Sequence, residues 1–157
     1  GFSRYASGQD RLLVLIDYTK PSTEKRFYIL DLLQKKLLLS TYVAHGRGSG
    51  DNYAVAFSNR PGSYQSSLGF FRTGDTYMGK NGYSLFLDGL EKGINDKARE
   101  RAIVVHGANY ADPAVLKGQQ RLGRSLGCPA LPPDISKQVI DTIKGGVLLY
   151  IYGLNKA

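Results

Sequence analysis

The sequence predicts one mostly-β domain with a single clear helix near its C-terminus. Three observations carry that reading. Short apolar runs rich in β-branched and aromatic residues alternate with tight turns. A long Gly-, Ser- and Asn-rich segment occupies 45–69. Only 135–143 spaces its apolar residues as a helix does.

The elements follow in order. Residues 12–18 (LLVLIDY) read as a strand, and Pro21, Ser22 and Thr23 make the turn after it. Residues 26–31 (RFYILD) and 36–44 (KLLLSTYVA) are the second and third strands. Their tight connections indicate a β-meander rather than βαβ units. The segment 45–69 is expected to form loops, with short strands near 54–57 and 69–73. Interleaved aromatics (Tyr53, Phe57, Tyr64, Phe70, Phe71) favour ordered loops that line a cleft. Residues 74–82 (GDTYMGKNG) read as a turn pair, and 83–88 (YSLFLD) as a half-buried strand. Residues 89–99 are polar and irregular, and 101–106 form a strand buried on both faces. Asp112-Pro113 can start a short helix, with Asp as cap and Pro at its first position. Asp134 or a neighbour caps the main helix, whose apolar face is Ile135, Val139, Ile140 and Ile143. Lys144 sits in its last turn and Gly145-Gly146 end it, before a last core strand at 147–152 (VLLYIY).

All 157 residues fit one domain, 1–157, long enough to bury a core. Apolar residues make up 42% and charged ones 22%, values of a globular chain. No apolar run approaches the roughly 18–20 residues of a membrane span. The chain opens on Gly1 rather than Met, which is expected of a mature or trimmed product whose export signal has been removed. The net charge of +8 implies attraction to a polyanion. Its Lys and Arg residues are scattered, without a basic helix, RNP motif or zinc-finger spacing. A solubilising basic surface is therefore favoured over nucleic-acid binding.

The chemistry concentrates in 101–131. An apolar run (Ile103, Val104, Val105) ends in His106, and the chain's single cysteine, Cys128, sits in a Gly-Cys-Pro turn. A thiol needs a base to become a nucleophile, and imidazole on a rigid strand end suits that task. Gly127 permits an unusual backbone that can aim the N–H groups of Gly127 and Cys128 at one point beside the sulfur. Spacing alone leaves open a core histidine and a buried thiol that never meet. No HxxxH or HxxxD spacing supports a metal site, so no metal or other cofactor is expected.

The residues in order resemble a known family. His106-Gly107 followed by Ser125-Leu126-Gly127-Cys128 is similar to the signature of the L,D-transpeptidases of bacterial cell-wall synthesis, the YkuD-like family. HGRGSG, FSNRPGS, LGFFRTGDTY and LDGLEKGIND resemble a divergent subgroup of its catalytic domains, and the resemblance runs from about Leu12 to Tyr152. It implies a β-sandwich-like fold with long cleft loops and two-step acyl transfer on peptidoglycan stem peptides. In that scheme a thiolate expels the terminal D-residue of a donor tetrapeptide. An amine of a neighbouring stem then takes the thioester and makes an L,D cross-link, or water resolves it as in an L,D-carboxypeptidase. Carried over by position, Cys128 is the nucleophile and His106 the base. The carbonyl of Gly107 orients His106, and the N–H groups of Leu126, Gly127 and Cys128 are oxyanion donors. Leu126 stands where most of the family has a second histidine, which puts acceptor choice in doubt. The resemblance also implies a cell-envelope or periplasmic location and acylation of Cys128 by carbapenem-type β-lactams.

The substrate carries carboxylates, so Arg124 is the first candidate cation, followed by Arg72 and Arg60. Ser125 and His45 are expected at the cleft, and Tyr77 and Tyr83 can wall it. A contrasting reading is a non-catalytic module that binds an anionic polymer through the basic surface. The sequence is silent on oligomeric state.

Overall fold

The computed structural model describes residues 10–156. Eight strands form one sheet: β1 (Leu12–Asp17), β2 (Phe27–Asp31), β3 (Lys36–Thr41), β4 (Gly69–Gly79), β5 (Gly82–Gly89), β6 (Val104–Gly107), β7 (Ala130–Leu131) and β8 (Leu148–Tyr152). Their order is β3-β2-β1-β8-β4-β5-β6-β7. The far ends of this order approach one another, because Ala44, just beyond β3, bridges Ala130 of β7. The mostly-β layering is thus made by one sheet that nearly closes on itself. Among the described residues one α-helix, α1 (Pro133–Ile143), packs on it.

Period-two burial explains the first strands. Val14 and Ile16 of β1 and Phe27 and Ile29 of β2 point into the core, while their neighbours are half-exposed. β1, β2 and β3 form the expected meander, and β1 also pairs in parallel with β8. The core joins these residues to Phe71, Leu85, Leu87, Val105, Leu131, Leu149 and Ile151. α1 closes it with Val139, Ile140 and Ile143, each fully buried. Each such side chain contributes roughly 1.5–3 kcal/mol by leaving water.

Several expected boundaries move. Residues 74–82 do not form a turn pair. β4 continues to Gly79, and its pairing with β5 shifts register between Thr73 and Thr76, so Gly74 and Asp75 are absorbed as an irregularity in a long strand. The turn is only Lys80-Asn81, between the paired Gly79 and Gly82. Residues 54–57 are not a strand. Val55 and Ala56 both donate to the carbonyl of Ser49, and Phe57 donates to the side chain of Asn155. The strand expected at 101–106 begins only at Val104, after Ala102 adopts a left-handed φ of 56°. Asp112 does cap a short 3-10 turn (Pro113–Lys117), accepting from the N–H of Ala114. Pro132, not Asp134, occupies the cap of α1, and Asp134 lies in its first turn, where a carboxylate suits the helix dipole. Lys144 is the C-cap of α1. Gly145 and Gly146 follow at positive φ and donate to the carbonyls of Gly74 and Thr73.

Candidate active site

The site lies along the edge of β6 that faces β7. The N–H of His106 donates to the carbonyl of Pro129 at 3.4 Å, and that of Ala108 donates to Leu131 at 2.9 Å. His106 lies opposite Ala130 in the parallel register. This pairing runs the segment containing Cys128 alongside 102–106. The sulfur takes a place in the ladder: it accepts from the N–H of Val104 and donates to the carbonyl of Ala102, both at 3.4 Å.

His106 is buried, and its Nδ1–H donates to the carbonyl oxygen of Gly107 at 2.9 Å. That contact leaves Nε2 as the basic nitrogen. Gly107 has no room for a side chain, since a Cβ would overlap Ser136 of α1. Burial holds the imidazole below its usual range, partly offset by the Gly107 carbonyl. Burial also pushes the Cys128 thiol up, opposed by the Val104 N–H and the Arg101 guanidinium. Both shifts favour the uncharged forms, thiol and imidazole. Among the described residues, the thiol hydrogen-bonds to the strand backbone rather than to the His106 ring.

The turn before the sulfur is built by Ser125. Its hydroxyl donates to the carbonyl of Cys128 and accepts the N–H of Gly127 at 3.1 Å. Gly127 has φ +127°, and a Cβ there would come within 3.0 Å of Ile103 and 3.1 Å of the Gln65 carbonyl. The Gly127 N–H, expected among the oxyanion donors, is engaged inside the turn. The N–H groups of Leu126 and Cys128 make no hydrogen bond to any described residue.

The Gly-rich segment after β3 is a shelf for this turn. Ser125 N–H donates to the His45 carbonyl at 2.9 Å, and Arg47 N–H donates to the Ser125 carbonyl at 2.8 Å. Gly46 lies so close that a Cβ would stand 2.9 Å from the Cα of Gly127.

The expected substrate contacts divide. His45 is not at the cleft. It is 1% exposed, its Nδ1 accepts from Arg26 at 2.9 Å, and its Nε2–H donates to the Gly50 carbonyl at 3.2 Å. Burial and the Arg26 charge lower it to about 4, so it is a neutral core histidine. Ser125 is buried and spent on the turn. Arg124 pairs with Asp51 at 3.1 Å and reaches the Gly50 carbonyl at 3.3 Å, tying down the shelf rather than facing a free space. Arg72 pairs with Asp10 at 2.8 Å and bonds the Gly146 carbonyl, on β4 beside β8. Tyr77 stacks on Phe86, with ring centres 4.4 Å apart. Tyr83 borders a hollow beside Gly107. That hollow, of about 320 Å³, also has Asn109 and Ser136 in its wall. The Tyr83 hydroxyl donates to Asp141 of α1. Arg60 lines a different hollow, with Lys92 and Lys97.

Sequence reasoning passed over Arg101. It comes immediately before the left-handed Ala102 and meets the nucleophile turn. Its partners are Ser58, Ser63, Gln65 and Ser67, far away along the chain, and no local spacing signals them.

The family model of the L,D-transpeptidase catalytic domain matches residues 2–152. No curated protein matches the chain. Among solved structures, an L,D-transpeptidase from Mycobacterium smegmatis is similar at 13% identity and TM-score 0.54, covering 91% of this chain and 59% of its own. The helical cell shape determining protein Pgp2 from Campylobacter jejuni reaches TM-score 0.61 at 16% identity, over 94% of this chain and 50% of its own. An L,D-transpeptidase from Stackebrandtia nassauensis gives TM-score 0.55 at 14% identity, over 99% and 62%. At these identities the likeness shows the fold, and the chain spans about half to three-fifths of those proteins' lengths. The family-wide match, a strand-end His106-Gly107 and a Cys128 turn on the same strand edge lead to one conclusion: this chain belongs to the L,D-transpeptidase catalytic domain family.

Proposed function

We propose that the protein is a cysteine acyltransferase that makes L,D cross-links between peptidoglycan stem peptides in the cell envelope. The observation that carries this reading is the His106 Nδ1–Gly107 carbonyl bond, which fixes a basic Nε2 on the strand edge that also holds Cys128. The Cys128 sulfur attacks the carbonyl that follows the L-centre of a donor tetrapeptide, and its proton passes to Nε2 of His106. The negative charge on the carbonyl oxygen is met by the N–H groups of Leu126 and Cys128. Collapse breaks the amide bond; the terminal D-residue leaves with the proton from His106, and a thioester remains on Cys128. An acceptor amine attacks that thioester, giving its proton to His106 and regenerating the thiol. Water in place of the amine gives a trimmed stem instead.

Moving out of the resting contact is part of this chemistry. A thiol can donate to the Ala102 carbonyl, whereas a thiolate is repelled by that oxygen. Deprotonation therefore releases the sulfur from Ala102 while the Val104 N–H still favours the anion.

The test is incubation with a disaccharide tetrapeptide, comparing the protein with Cys128→Ala. Cross-linked dimers from the unaltered protein and none from the variant are expected. Trimmed tripeptides alone would indicate the hydrolytic reaction, and equal turnover by both proteins refutes the thiol mechanism. Exposure to a carbapenem, read by intact-protein mass, is expected to add one acyl group that Cys128→Ala lacks.

A further inference from the structure

Among the described residues, no carboxylate forms an ion pair with the positive charge of Arg101. Its four side-chain hydrogen bonds all go to neutral acceptors. Nη1 donates to the Ser58 carbonyl at 2.8 Å and the Ser67 hydroxyl at 2.7 Å. Nη2 donates to the Gln65 carbonyl at 2.8 Å and the Ser63 hydroxyl at 3.2 Å. The side chain thus gathers both ends of the 58–67 loop. The same loop presses on the nucleophile turn: the Gln65 carbonyl stands 3.1 Å, and Nη2 itself 3.5 Å, from where a Cβ on Gly127 would be. The next residue, Ala102, supplies the carbonyl that holds the resting thiol.

Charge near this thiol is otherwise scarce. The groups that act on it electrostatically are Arg101, Tyr18 just beyond β1 and Tyr110 in the 3-10 turn Asn109–Ala111, while His106 lies on β6 opposite Ala130. Burial pushes both tyrosines up to about 12, and it holds His106 neutral. Leu126, half-exposed on the turn, brings no charge. A unit charge close to a partly buried sulfur favours the anion more than an exposed one does.

Resting on the thiol mechanism above, we propose that Arg101 is the positioning residue of the nucleophile. It clamps the 58–67 loop onto the Gly127–Cys128 turn and supplies a fixed positive charge that steadies the thiolate as His106 takes its proton. A purely structural clamp needs the hydrogen bonds but not the charge. The two roles therefore separate by substitution.

The experiment is the pH dependence of Cys128 alkylation by iodoacetamide, measured on the unaltered protein, Arg101→Lys and Arg101→Gln. Glutamine keeps some hydrogen bonding and loses the charge, and lysine keeps the charge. The midpoint in Arg101→Gln is expected to rise by about half to one pH unit, with alkylation at pH 7 slowed about three- to tenfold. In Arg101→Lys the midpoint is expected to stay within about 0.3 unit. Equal midpoints in all three proteins, or equal shifts in both variants, overturn the proposal. Thermal melting identifies a variant that fails to fold. If Arg101→Gln fails, Arg101→Met takes its place, and if neither neutral variant folds while lysine does, charge retention is still read from the lysine midpoint, where a shift beyond half a unit overturns the proposal. Alkylation needs no peptide substrate, so this result stands apart from whether the protein turns over stem peptides.

Discussion

Ser125 accepts the N–H of Gly127 on the same hydroxyl that donates to the carbonyl of Cys128. One buried oxygen thus closes the nucleophile turn from both ends. Ser125→Ala leaves a buried N–H and a carbonyl without partners, at a cost of about 1–3 kcal/mol. We expect a lower melting temperature and a turnover loss of roughly ten- to a hundredfold, because a misplaced nucleophile is costly. Ser125→Thr keeps the hydroxyl and is expected to retain most activity. Steady-state cross-linking and thermal melting check both.

Gly127→Ala acts on the same turn by another route. The φ of +127° excludes an L side chain without strain, and the new methyl would press on Ile103 and the Gln65 carbonyl. The cost is about 1–3 kcal/mol. Displacement of Cys128 from the β6 edge is expected to reduce carbapenem acylation at least tenfold, read by intact mass against time. Leu126→Ala is the contrast. That side chain is 53% exposed, and the reading uses only its backbone N–H. Stability within about 0.5 kcal/mol and turnover within about twofold are expected.

Strand identity was legible because LLVLID buries alternate side chains against the core and LLYIY is a short, largely buried apolar run. The bulge at Gly74 and Asp75 was not. A glycine beside an aspartate looks the same whether the chain turns or a strand absorbs extra residues, and only the partner β5 decides it. At the site, the His106-Gly107 and Ser-x-Gly-Cys pattern pointed to the family from local sequence. The partners of polar side chains were hidden, because long-range packing sets them. His45 and Arg26 meet only after β2 and the chain beyond β3 come together. Arg124 finds Asp51 across 73 residues, and Arg101 finds Ser67 of the serine-rich loop across 34. Each of these cations or rings looked free in sequence.

His45 makes stability depend on pH. Its folded value is about 4 against 6.5 in an unfolded chain. The unfolded state therefore binds more protons between those values, and stability rises with pH across that window. The contribution is complete above 6.5 and is lost as pH falls through about 4. Its full size is about 3 kcal/mol, set by the shift. Protonation would also place a second charge 2.9 Å from the Arg26 guanidinium. His45→Asn keeps an acceptor near Arg26 and removes the titration. We expect that variant to melt lower at pH 7 than the unaltered protein, and to lose less of its stability between pH 6.5 and 4. Parallel melting curves for the two proteins would refute this assignment.

The neutral resting pair sets the shape of the pH–rate curve. His106 accepts the thiol proton only when uncharged, and burial keeps it uncharged to below the ordinary histidine value of 6.5. The acid limb of kcat/KM is therefore expected to have its midpoint below that value, with activity rising as pH increases through it and holding level at neutral pH. Cys128 is raised above the ordinary thiol value of 9.0, so it is not a preformed thiolate. Its alkylation at pH 6 is expected to be slow and to climb through pH 9, and rapid alkylation at pH 6 would instead reveal a standing thiolate–imidazolium pair. His106→Asn removes the base and retains a polar group on the strand. It is expected to lower turnover by about 10²–10⁴-fold and to erase the acid limb. It should leave the folded state intact, because the backbone bonds from His106 to Pro129 and from Ala108 to Leu131 do not involve the ring.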